Sequence, residues 1–142
     1  LVGSLITKER KRRKDERGRG LGHEFEELSG RVIAAAIEVH KRLGPGFMES
    51  VYEQALRIEL PKRGVPFESQ KHIKIVYDGQ IVGTHVLDLL VDGQLVVELK
   101  AVTTFEDIHY AQLRSYLVAT GTKIGLLMNF NSPRLVVKRV IC

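Results

Sequence analysis

Between Leu28 and Leu43, the apolar residues Leu28, Val32, Ile33, Ala36, Ile37, Val39 and Leu43 recur three and four positions apart. That spacing lines one face of a helix. Gly44-Pro45-Gly46 ends the pattern. A second helical run carries Val51, Ala55, Leu56, Ile58 and Leu60. Pro61 and Gly64 bound it, because proline disfavours helix at the residue before it. The period then shortens to two. Ile73, Ile75 and Tyr77 alternate with polar residues, which predicts a half-buried strand over His72–Tyr77. Asp78-Gly79 is a hairpin signal. Ile81–Val91 follows as a second strand, Asp92-Gly93 as a second turn and Leu95–Val102 as a third strand. The third is apolar up to Glu98, which places it centrally. Thr104 is expected to cap a helix, with Asp107 as its acidic partner. That helix runs to about Ala119 and stops at Gly121. Ile124–Phe130 and Leu135–Ile141 complete the strands. The order α-α-β-β-β-α-β-β predicts an α/β (α+β) fold, a mixed sheet flanked by helices. Strand three, the helix and strand four suit a right-handed parallel crossover.

Composition narrows the class. A chain of 142 residues, 44% apolar and 27% charged, suits one soluble globular domain. The single cysteine, Cys142, excludes an internal disulfide and a four-cysteine zinc site. No apolar run nears the ~18 residues of a membrane span. Leu1–Ile6 is too short for the core of a signal peptide. No membrane association and a cytoplasmic location are therefore expected.

The formal charge of +5 is unevenly placed. Lys8–Arg19 holds eight basic and three acidic residues and so carries all of it. The rest is neutral. Lys8–Gly20 contains no apolar residue, so residues 1–23 are expected to form a disordered tail and 24–142 the folded domain. Lys8, Arg10, Lys11, Arg12, Arg13 and Lys14 would make that tail an arm for phosphate backbones. A merely solvated tail is the equal alternative.

The chemistry lies in acidic residues set among apolar strand positions. Asp88 sits within Val86–Val91 and Glu98 within Leu95–Lys100. A lone carboxylate in a buried strand costs several kcal/mol unless paired or metal-bound. Asp88 and Glu98 lie at similar distances either side of Asp92-Gly93, so a hairpin brings them together. Lys100 falls on the face of Glu98. Two carboxylates and a lysine from adjacent strands suit a hard divalent cation, Mg2+ or Mn2+. The lysine would orient or deprotonate the attacking water. Structural alternatives remain: Asp88 paired with Arg114, Glu98 with Lys100 as a plain ion pair, and Glu49 as a helix-dipole partner. The five histidines show no metal-ligand spacing. Alternation puts His85 on the strand face away from Asp88. His109, three residues before Gln112, is placed to share the site face.

Asp88 followed by Glu98-Leu99-Lys100 resembles the PD-(D/E)XK nuclease signature, with Leu87 where the proline of the name would stand. Gln112 and Tyr116 match the QxxxY pattern of RecB-like exonucleases. Gly46-Phe47-Met48-Glu49-Ser50-Val51-Tyr52 is similar to the signature of the GxxExxY family. The resemblance spans roughly Ser29 to Val140. It implies a restriction-endonuclease-like fold and a Mg2+- or Mn2+-dependent nuclease acting on DNA or RNA. Asp88 and Glu98 would hold the metal with the backbone carbonyl of Leu99, and Glu49 would lie close to it. Lys100 would be the catalytic lysine. Gln112 and Tyr116 would contact phosphate or hold the lysine. A non-catalytic or partner-dependent nucleic-acid-binding module of the same fold is the alternative. A homodimer and a targeting protein partner are further expectations.

Overall fold

The computed structural model describes residues 23–142. The basic tail with Lys8, Arg10, Lys11, Arg12, Arg13 and Lys14 lies outside the described residues. Helices α1 (His23–Leu43) and α2 (Glu49–Lys62) come first. Strands β1 (Phe67–Tyr77), β2 (Gln80–Val91) and β3 (Leu95–Lys100) follow. Helix α3 (Asp107–Thr120) leads to β4 (Ile124–Asn129) and β5 (Val136–Ile141). The five strands form one sheet in chain order. Neighbours are antiparallel except β3 and β4, which run parallel from Leu95↔Ile124 to Lys100↔Asn129. The element order and the mixed sheet agree with the sequence pattern.

Both turns work as their residues predict. Asp78 and Gly79 have φ of 52° and 74°, and Asp92 and Gly93 have 50° and 65°. Glycine adopts such angles freely and aspartate tolerates them, so Asp-Gly folds the chain back on itself.

The sheet separates two cores. On one face α1 and α2 set Val32, Ala36, Leu56 and Leu60 against Leu95, Val97, Leu126 and Met128. On the other, α3 sets Leu113 and Leu117 against Val96, Leu127 and Val140. The fit under α3 is close. A Cβ added at Gly125 would stand 2.8 Å from Leu113 Cδ1. The entry to α2 is fixed by Tyr52. Its buried ring stacks on Phe130, with centroids 4.5 Å apart. Its hydroxyl donates to the Gly44 carbonyl at 2.6 Å and accepts from the Phe47 N–H at 3.1 Å.

Several boundaries differ from expectation, among them the end of β3, which stops at Lys100 rather than Val102. Pro61 lies inside the last turn of α2, and Gly64 makes the stop. With φ of 66°, Gly64 allows the Val65 N–H to reach the Leu60 carbonyl at 3.1 Å. Strand β1 begins at Phe67, five residues before His72, because pairing with β2 continues that far. Helix α3 is capped by Glu106, not Thr104. The Glu106 N–H donates to His109 Nδ1 at 2.9 Å. His109 is thereby committed to the helix end.

Candidate active site

Strand β2 pairs with β1 over nearly its whole length but with β3 only at Leu89↔Val97, Leu90↔Val96 and Val91↔Leu95. The next facing residues are Asp88 and Glu98, and there the strands part. Parting frees backbone N–H groups, which must find acceptors. The Asp88 N–H donates to Glu98 Oε1 at 3.4 Å. The Leu99 N–H donates to Asp88 Oδ2 at 2.8 Å. Each carboxylate thus replaces a rung of the ladder.

The same point breaks the alternation of β2. Leu87 packs under α3, whereas Leu89 packs under α1 and α2. Regular pleating would put residues two apart on one face. Strand β1 answers with Gln70, whose φ is 52°, between the pairs Ser69↔Leu89 and Lys71↔Leu87. That conformation is strained for a residue with a Cβ. It accompanies a 2.6 Å hydrogen bond from the Gln70 side-chain amide to Glu53 Oε1.

Electrostatics tie these groups together. Burial pushes the Glu98 carboxyl up to about 9. The charge of Asp88 and a shared hydrogen bond with it push the same way, while the Asp88 N–H and Lys100 pull back. Burial raises Glu53, Gln70 opposes, and Asp88 raises it again. Burial lowers the His85 imidazole, Asp88 opposes and Lys100 adds to the lowering. Burial raises the Tyr116 hydroxyl, with Glu98 and Asp88 adding to it. Asp88 is therefore a centre felt from both layers, by Glu53 of α2 and by Tyr116 of α3.

The remaining candidates take clear places. Glu49 Oε2 accepts the Ala101 N–H at 3.1 Å, beside Lys100. Gln112 lies one turn before Tyr116 on the same face of α3. Tyr116 stacks on His85, with centroids 3.8 Å apart and planes 16° apart. Strict alternation misplaces His85, because the break in alternation at Asp88 leaves it under the influence of both Asp88 and Lys100. His40 serves the fold through the Ser132 carbonyl, 2.9 Å from its Nε2.

A family model for the PD-(D/E)XK nuclease superfamily matches residues 26–140, a span that includes all of these groups. The chain belongs to the PD-(D/E)XK nuclease superfamily. A crystal structure of SSO0001 is similar in fold, with a TM-score of 0.52 at 18% identity over 84% of this chain. The chain spans 58% of that structure's length. No curated protein matches the chain.

In this member of the PD-(D/E)XK superfamily, the donor set fits magnesium. Among the described residues no three His, Cys, Asp or Glu side chains are grouped to hold a metal. Magnesium asks for less, usually one or two carboxylates completed by water and phosphate oxygens. Asp88 and Glu98 supply two, crowded enough that one holds its proton well above the usual carboxylate range. A cation would relieve that crowding. The N–H and C=O of one strand residue face the same side. The Leu99 N–H meets Asp88, so its carbonyl also faces the gap.

The sequence reading gives no role to Glu53 or Gln70, and it sets His85 on the face away from Asp88. Glu53 alone left a signal, since it follows Glu49 by four positions and shares its helix face. Gln70 and His85 left none, because both depend on the break in alternation in β2.

Proposed function

We propose that the chain is a metal-dependent nuclease of the GxxExxY type, hydrolysing phosphodiester bonds of DNA or RNA with Mg2+ or Mn2+. The observation that carries this reading is the crossed hydrogen bonding of Asp88 and Glu98 at the point where β2 and β3 part. A buried Glu98 beside a half-buried Asp88 forms such a pair at a cost in stability. A pair that merely closed a ladder would need no charge.

The roles follow from position. Asp88, Glu98 and the Leu99 carbonyl would hold the metal, with Glu49 or Glu53 of α2 as a further candidate. Bound metal stabilises charge on the phosphoryl oxygen and acidifies the attacking water. The Lys100 ammonium, on the face of Glu98, would donate a hydrogen bond that orients that water. Gln112 and Tyr116 face the substrate phosphate from α3. Glu49 fixes the backbone just after Lys100 through the Ala101 N–H.

The test is cleavage of single-stranded, duplex and branched DNA and RNA with Mg2+ or Mn2+, by the wild type, Asp88→Ala and Lys100→Ala. Metal-dependent cleavage abolished in both variants supports the reading. Cleavage that persists in both would refute it.

A further inference from the structure

Helix α3 and the β1–β2 hairpin enclose a groove of about 1020 Å3. Its floor is the stacked pair His85 and Tyr116, and both rings feel the charge of Asp88. His85 stands on β2 three residues before Asp88, and Tyr116 shares its face of α3 with Gln112, so the groove borders the candidate site. Its walls are apolar, and Val76 and Val118 are 58% and 69% exposed there. The charged residues lining it are Lys74 and Arg114, both exposed cations with no ion pair among the described residues. Among the described residues no Asp or Glu side chain lines it.

This combination selects among forms of nucleic acid. A duplex hides its base faces in stacking and offers a wall of phosphates, which calls for a basic surface. The described part of the chain falls within the neutral body, so its net charge gives a duplex no attraction. An unpaired strand offers base faces to apolar and aromatic walls and few phosphates to few cations. We propose that the groove holds the unpaired nucleotides beside the bond to be cut, so that the substrate is a single-stranded segment or end. This rests on the nuclease reading and specifies its substrate.

The test begins with binding in EDTA, where no cleavage occurs, using labelled dodecamers of deoxythymidine and of uridine and a blunt duplex of equal length. Wild type is expected to bind one or both single strands about tenfold more tightly than the duplex. Arg114→Glu and Val118→Glu, both on exposed positions of α3, are expected to weaken strand binding about tenfold each. With metal they should raise KM and leave kcat unchanged. Ultraviolet cross-linking of a 4-thiothymidine strand to wild-type protein should map to Lys74–Val76 or Ala111–Ala119, a result independent of any variant's folding. Equal or tighter duplex binding, or cross-links confined elsewhere, overturns the proposal. If the wild type cleaves duplex as readily as strand and Arg114→Glu leaves KM unchanged, the groove proposal falls and the nuclease reading stands. If no nucleic acid is bound or cut, both fall together.

Discussion

Asp88 and Glu98 each accept a backbone N–H from the other's strand, Asp88 from Leu99 and Glu98 from Asp88 itself. Two acids thereby stand in for the ladder where β2 leaves β3. Under the proposed function, the arrangement ties stability, metal binding and catalysis to one pair of side chains.

Metal-free stability should fall as pH rises from about 4.5 toward 9. The Glu98 pKa is raised from 4.5 to about 9, so the folded state binds more protons than the unfolded state across that window. The favourable contribution is complete below the unfolded value and is lost through the folded one. Thermal melts in EDTA across this range check the slope. Magnesium, by favouring the ionised pair, should raise Tm more at pH 8 than at pH 6. Glu98→Gln should flatten the pH dependence and cut cleavage by more than the 10–100-fold typical of losing a group that only supports a metal ligand. An unchanged pH profile in Glu98→Gln contradicts the assignment.

Gly125→Ala should loosen α3. The new Cβ would meet Leu113 at 2.8 Å, and Leu113 is itself buried. Overpacking of this kind costs about 1–3 kcal/mol. Because α3 carries Gln112 and Tyr116, cleavage should fall with stability. Urea unfolding alongside kinetic assays measures both.

Tyr52→Phe keeps the stack on Phe130 but leaves the Gly44 carbonyl and the Phe47 N–H without their partner. Losing one side of a part-buried hydrogen bond costs roughly 1–3 kcal/mol. Stability should drop by that order, and hydrogen exchange at Phe47 should quicken. A variant as stable as wild type would show the pin to be unimportant.

Deleting residues 1–22 should weaken binding of nucleic acid and shallow its dependence on salt, since eight of the chain's cations lie there. Affinity measured at several salt concentrations for both forms decides the point. Unchanged affinity and slope would leave the tail without a binding role.

Sequence alone set the order of elements, both Asp-Gly turns, the central place of β3 and the meeting of Asp88 with Glu98. These depend on local matters: hydrophobic period, left-handed angles at glycine, and equal counting from a turn. Glu49 and Tyr52 were legible as a motif, though their partners, the Ala101 N–H and the Gly44 carbonyl, were not. Tertiary structure decided the rest. The break in alternation at Asp88 turned His85 toward Tyr116, the strained Gln70 delivered its amide to Glu53, and α2 and α3 approached the same gap from opposite faces. A strand's period is two, so one break in alternation reverses every face assignment beyond it, even though the pairing register with β1 is kept at that point. Such a break pays no local price visible in residue order; it is stabilised by contacts with helices distant in the chain.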